Sequence, residues 1–388
     1  MISVQQAINL LNNNIPKSKK NQLSLLDAQN HILADDVVST INMPPFRQSA
    51  MDGFALNIHD SLVYNLIGEI KAGDSHKMEL KPGEAIKIFT GAAVPDSANA
   101  VIQVEKTSLN GNRLELNETI NLNTNIRPIG EQIKTNEVAL IKGTKLNAAS
   151  IGFLAGLGIT TVTVYKKPSI GILVTGNELV KPGNNLEYGK IYESNSIMLQ
   201  AALIDSEVKK STIYEVNDDF LNTKNSIKKA LNENDILLIS GGISVGDYDF
   251  VKGALNELQV ETLFYKVNQK PGKPLLAGKF EDKLVFALPG NPAASLTCYY
   301  IYVKPILKKI TGESENSSTI KKEITHNFIV NNTRSQFLKA NFSDNNVSVL
   351  SHQQSSMLNT FALSNCLIHL PEGNYELKKG SKVDIYHI

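Results

Sequence analysis

Apolar positions at three- and four-residue spacing open the chain. VQQAINLLNN, and then LSLLDAQNHILADDV, carry the stripe of an amphipathic helix, so the first 40 residues are predicted helical. MPPFRQSAMDGFALN (43–57) ends that pattern with a proline pair and a glycine. From Tyr64 to Lys145 the period shortens. YNLIGEI, EAIKIFTG, AVIQVEK, RLELNE and VALIKG alternate with the turn signals KPGE, NGN and RPIGE, which predicts a β-rich module.

Beyond YKKP (165–168) strand and helix patterns alternate. SIGILVTG, STIYEV, DILLISGG, KPLLAG and LVFALPG read as strands. SNSIMLQAALIDS, DDFLNTKNSIKKALNEN with Asp218 or Asp219 near its cap, a stretch after Asp247, and NPAASLTCYYIYVKPILKKI read as helices. That alternation predicts an α/β domain with a doubly wound parallel sheet. TGESENSS (311–318) is a polar linker, and the strand patterns after it, with no convincing helix, predict a small β-barrel or sandwich.

At 388 residues the chain is long enough for several cores, and 42% hydrophobic with 20% charged residues is ordinary globular composition. A net charge of +1 removes any general pull towards nucleic acid or anionic lipid. Two distant cysteines, Cys298 and Cys366, suit neither a disulfide framework nor a zinc site. The N-terminus lacks secretory-signal features, and NAASIGFLAGLGITTVTVY (147–165) reads as helix, turn and strand in a core rather than a membrane span. A cytoplasmic protein is expected.

Three predicted strand ends carry unusual sequence: TGNEL (175–179), SGGISVGDYD (240–249) and LPGNP (288–292). In an open α/β sheet they would share the ligand-binding rim. The backbone N–H groups of Gly241, Gly242 and Ser244 suit an oxyanion, and KPGKP (270–274) adds Lys270 and Lys273, with Lys266 just ahead. Neither GxxxxGK[ST] nor GxGxxG is present, so this is not a Walker or dinucleotide loop. Glu178, Asp218, Asp247 and Asp249 would crowd an anion unless a cation joined them, and carboxylates beside phosphate oxygens suit Mg2+.

These residues resemble a known family. TGNELVKPG, GKIYESNS, DILLISGGISVGDYD, KPGKP and LPGNP look like the core of the domain shared by molybdopterin adenylyltransferases and molybdenum insertases. PFRQSAMDGFA (45–55), IFTGAAVPDSANAVIQVE (88–105) and IRPIGEQI (126–133) resemble signatures of the insertases alone, a family that includes the C-terminal region of gephyrin. The resemblance implies insertion of molybdenum from molybdate into the dithiolene of adenylylated molybdopterin, with AMP released and Mg2+ as cofactor. It also implies an elongated homodimer of four-domain subunits with a composite active site, and transient contact with a molybdopterin adenylyltransferase. Set against the pattern shifts, it predicts a discontinuous N-terminal domain (1–44 and 124–165), an inserted β-rich domain (45–123), the α/β molybdopterin-binding domain (166–313) and a C-terminal β-barrel (318–388).

By matched position Ser244, Lys270, Lys273 and Arg334 would form the molybdate pocket, with Asp249 beside it. Glu178, Asp218 and Asp249 are the implied functional and metal-holding acids, Lys266 a functional lysine, and Pro289 and Pro292 the fixed points of the LPGNP turn. Asp52 and Thr90 match positions contributed by the other modules. The chain departs from the family pattern at Asn177 and Gln132, which replace acids, and at Ala294, where serine is common. A lone adenylyltransferase would lack the SAMDGFA and TGAAVP modules, and a pure scaffold would have no use for a charged cleft.

Overall fold

The computed structural model describes residues 1–75, 77–243, 250–313 and 319–388. The chain forms two compact units, one of Met1–Gln22, Asn30–Ala34 and Thr163–Ile388, the other of Leu23–Gln29 and Asp35–Val162.

In the first unit six strands make one sheet: β1 (Ile170–Thr175), β2 (Ser211–Val216), β3 (Ile236–Ser240), β4 (Glu261–Tyr265), β5 (Leu276–Phe280) and β6 (Lys283–Leu288). Their spatial order is β2-β1-β3-β6-β5-β4. β2, β1, β3 and β6 run parallel. β1 and β3 are buried along their whole length, which is why IGILVT and ILLIS read as unbroken apolar runs. Alternate residues serve opposite faces. Ile170, Ile172 and Val174 pack with Leu199, Ala202 and Leu203 of the helix Asn195–Asp205, whereas Leu173 packs with Ile227, Ala230 and Val251 of the helices behind. β5 lies antiparallel between β6 and β4, so the sheet is mixed at that edge. Only Glu281 and Asp282 separate β5 from β6, and a two-residue connection can join antiparallel strands but not parallel ones.

The helix Val4–Asn12 is opened by a capping box at Ser3 and Gln6, and its Val4, Ala7 and Leu11 join the α/β core. The second helix expected before residue 40 does not form. Ser24 and Asp27 instead hold a turn, Asn30 takes φ +64°, and Leu26 is exposed. Leu25, Ala28 and Ile32 are buried, but their helix-like spacing is spent on consecutive turns.

The strands Ile320–Ile324, Ser335–Ser343, Asn346–Val349, Cys366–Leu370 and Lys382–His387 close into a five-stranded barrel, because Ser335–Ser343 pairs with both Asn346–Val349 and Cys366–Leu370. One short helix, Leu358–Ala362, interrupts the strands and buries Thr360 and Phe361. Five residues are too few for a period to announce it.

The second unit is built on a six-stranded sheet ordered Ala100–Gln103, Gly53–Leu56, Glu84–Ile88, Val63–Ile70, Arg113–Leu116, Thr107–Asn110. A Cβ on Gly53 would lie 1.8 Å from the Ile102 carbonyl oxygen, so the glycine of SAMDGFA is required by the neighbouring strand. Among the described residues no helix is long and apolar enough to cross a membrane.

Candidate active site

Strand register brings the unusual segments to one edge. Thr175 lies opposite Val216, Ser240 opposite Leu288, Leu276 opposite Ala287, and Tyr265 opposite Leu276. TGNEL, Asp218, SGG and LPGNP therefore leave the sheet at its carboxyl rim. The connection 266–275, with KPGKP in it, leaves and re-enters at the same rim. Gly241 has φ +95°, and a Cβ there would stand 2.4 Å from the Thr175 carbonyl oxygen. The SGG loop thus presses its backbone against the end of β1, and a Cβ built on Gly290 would lie 3.9 Å from the Gly241 Cα.

Two adjacent aspartates divide their work. Asp219 is the N-cap of the helix Phe220–Glu233, accepting from Asn222 N at 2.8 Å. Asp218 is thereby free of the helix. Its carboxylate accepts from Thr175 Oγ1 at 2.5 Å and from the Asn177 backbone N–H at 3.2 Å. The Asn177 side-chain oxygen accepts from the Asp218 N–H at 3.1 Å, so the two residues pair reciprocally across neighbouring strand ends. An aspartate at position 177 could make the same contact, so the amide keeps the geometry of an acid without its charge. Glu178 is exposed beside this pair, its carboxylate oxygens over Gly176.

The cationic side is held from beneath. Lys270 and Lys273 are exposed, while Gln269 is fully buried. Gln269 Nε2 donates to the Pro271 carbonyl at 3.0 Å, and Oε1 accepts from the Tyr302 hydroxyl. The two-residue strand Gln269–Lys270 pairs in parallel with Ser335–Gln336, which sets Arg334 one residue before the strand alongside. Lys270, Lys273 and Arg334 therefore belong to neighbouring backbone segments. Lys266 takes φ +67° and holds its ammonium 4.7 Å from the Tyr265 ring centroid.

Pro289 is buried, and Pro292 is the first residue of the helix Pro292–Cys298, where its fixed φ suits the helix and no N–H is needed. Asn291 donates to Ser355 Oγ at 3.2 Å, tying the LPGNP turn to a loop of the barrel. Asn195 donates from Nδ2 to Ser240 Oγ at 2.8 Å and to the Gly290 carbonyl at 2.7 Å, so it clamps SGG to LPGNP. Ala294 and Ser295 are both buried within the helix.

In the second unit the Thr90 N–H and hydroxyl both donate to Asp52 Oδ1 at 2.7 Å. Those bonds, the backbone one first, hold the Asp52 carboxyl below its usual pKa. Phe54 is buried but Met51 is exposed, so only one of these two apolar side chains of SAMDGFA packs into the core.

Ser244, Asp247 and Asp249 lie outside the described residues. Among the described residues no group of three or more His, Cys, Asp or Glu side chains is arranged to hold a metal. Glu178 and Asp218 nonetheless offer hard carboxylate oxygens, and Asp218 spends its described contacts on neutral donors alone. That donor chemistry fits Mg2+. The sequence does not mark Thr175, Gln269 or Asn195 individually, although each makes a contact at this rim. TGNEL and GKIYESNS flag two of them as motif members, but nothing in the sequence singles out Gln269.

An α/β sheet that gathers glycine loops, lysines and acids on one rim, followed by a closed barrel, defines the class as a multidomain α/β protein. Three family models match in order: MoeA N-terminal region (domain I and II) over residues 2–158, Probable molybdopterin binding domain over 171–309, and MoeA C-terminal region (domain IV) over 323–388. The molybdopterin molybdenumtransferase of Staphylococcus epidermidis is 32% identical over 99% of this chain and 95% of its own length. That of Haemophilus influenzae is 32% identical over 99% and 98%. The solved structure of the molybdopterin biosynthesis MoeA protein from Pyrococcus horikoshii superposes with TM-score 0.85 at 27% identity, over 100% of this chain and 99% of that one. The chain belongs to the molybdopterin molybdenumtransferase family, a family of transferases in molybdenum cofactor biosynthesis.

Proposed function

We propose that this protein inserts molybdate-derived molybdenum into the dithiolene of adenylylated molybdopterin, releasing AMP in a Mg2+-dependent reaction. The observation that carries the reading is the single rim on which acids, cations and glycine loops converge. The two dithiolene thiols add to molybdate, forming two Mo–S bonds as one Mo–O bond breaks, and that oxygen leaves with both thiol protons as water. This water or another adds to a pyrophosphate phosphorus, the bridging P–O bond breaks, and AMP departs.

Lys270, Lys273 and Arg334, with Ser244, receive molybdate, and their charge stabilises the oxyanions as the bond breaks. Gly241 and Gly242 let the loop backbone approach the anion, and Pro289 and Pro292 hold the facing turn rigid. Lys266 completes the cationic side. Glu178, Asp218 and Asp249 would hold Mg2+, which when bound neutralises the pyrophosphate oxygens. Holding both substrates on one rim supplies proximity.

A homodimer with a composite site is part of this reading, as are transient delivery of substrate by a molybdopterin adenylyltransferase and a cytoplasmic location. The exposed Asp52 carboxylate, pre-set by Thr90, is suited to act on a bound substrate.

The test is AMP release by purified protein given adenylylated molybdopterin, Mg2+ and molybdate, with molybdate omitted as control. Molybdate-dependent release, reduced by about 100-fold or more in Lys273→Ala, is the expected result. Binding of the substrate without any AMP release would sink the reading.

A further inference from the structure

We infer that Asn195 is a substrate-binding residue, its side-chain oxygen accepting a hydrogen bond from an N–H or O–H group on the organic part of the substrate; the inference rests on the function proposed above. Both protons of Nδ2 are committed, one to Ser240 Oγ and one to the Gly290 carbonyl. A carbonyl can only accept, so Gly290 fixes which end of the amide is nitrogen. The oxygen is then the one polar atom of the amide that neither loop engages through the described contacts. It is buried, with the residue 8% exposed, and finds no donor among the described residues.

Helix capping does not account for it. The Ser194 side chain makes no capping bond, and Glu193 takes both Ser196 N at 2.9 Å and Ser196 Oγ at 2.5 Å. The first turn is therefore served by Glu193, and Asn195 is left with the rim. A buried acceptor without a donor is unfavourable, so this oxygen calls for a partner from outside the protein, and its bonds to the SGG and LPGNP loops of the rim point to the ligand.

The chemistry of the acceptor narrows that partner. Molybdate and pyrophosphate oxygens accept hydrogen bonds at neutral pH, and an amide oxygen repels them. The groups that donate are the pterin N–H and amino groups, the ribose hydroxyls and the adenine amine. Asn195 thus separates the organic part of the substrate from the oxyanions, which go to the lysines.

Calorimetry of wild-type protein and Asn195→Ala with three separate probes decides the matter: sodium molybdate, AMP and 6-hydroxymethylpterin. Asn195→Ala is expected to weaken either AMP or the pterin by about tenfold while molybdate stays within about twofold, and the probe that suffers names the donor. Equal weakening of all three would reduce Asn195 to a clamp between loops and overturn the inference, as would no weakening at all. Should the variant not fold, the ligand can be changed instead. AMP analogues without the ribose hydroxyls or the adenine amine, and a pterin methylated at its ring N–H and amino group, are titrated into wild-type protein. One of them must bind about tenfold more weakly than its parent, and unchanged binding of all overturns the inference. AMP release by the wild type, measured alongside, tests the proposed function independently, so the two failures are distinguishable.

Discussion

Asp218 and Asp235 stand at opposite ends of the same sheet and are used in opposite ways. Asp235, at the entrance to β3, accepts from Ser169 N at 2.9 Å and Ser169 Oγ at 2.8 Å and pairs with Lys19 at 2.7 Å. Burial alone would raise its pKa, but Lys19 and Ser169 outweigh burial and hold it at about 2. Asp218, at the exit of β2, is fixed by the Thr175 hydroxyl and the Asn177 N–H, and among the described residues no cation touches it. One carboxylate has its counter-charge built in and serves the fold. The other is oriented with its charge uncompensated, at the end of the sheet where ligands gather.

The strongest way to break this contrast is to neutralise each acid in turn. Asp218→Asn is expected to slow AMP release by about 100-fold or more, roughly 3 kcal/mol of transition-state stabilisation, while Tm moves by no more than about 2 °C. If activity survived, the rim acid would be as structural as its counterpart. Restoring the missing charge sharpens the comparison. Asn177→Asp keeps the acceptor that Asp218 N–H uses and adds a negative charge beside it, so the Mg2+ concentration giving half-maximal AMP release should fall several-fold. An unchanged Mg2+ dependence would remove position 177 from the metal's surroundings.

The smallest effect belongs to the other end. Asp235→Asn should leave AMP release unchanged and cost about 1 kcal/mol in urea unfolding at neutral pH, modest because Lys19 is half exposed and screened by solvent. The carboxyl is depressed in the folded protein from 3.8 to about 2, so its stabilisation is complete above pH 4 and disappears as the pH falls through that interval. The stability difference between wild type and Asp235→Asn must therefore close between those two values. A difference that persists at the acid end would show that lost packing, and not the ion pair, sets the cost.

Much of the α/β sheet could be read directly, because strands covered on both faces need unbroken apolar runs and β1 and β3 supply them. The loops at its rim were legible for a related reason. Gly241 takes φ +95°, a backbone conformation that favours glycine, so the residue at that position is dictated locally. The second early helix that the sequence predicts does not form, because Leu25, Ala28 and Ile32 meet the core at helical spacing from a run of turns, and spacing alone does not distinguish the two.

Lys339 marks the limit of such reading. In SQFLKANF it looks like an outward residue of a strand, yet it is 3% exposed and its ammonium donates to the carbonyls of His352, Gln354 and Met357. Gln269 is likewise unremarkable in sequence, and only its burial beside Tyr302 makes it the support of the lysine turn. Periodicity and glycine placement report the constraints that a residue's own backbone and immediate neighbours impose, and these determined the sheet, its loops and the family. Which aspartate caps a helix, which one keeps its charge, and which buried amide oxygen is left without a donor depend on partners tens of residues away. Those partners meet only when the strands are in register, and the tertiary structure alone decided them.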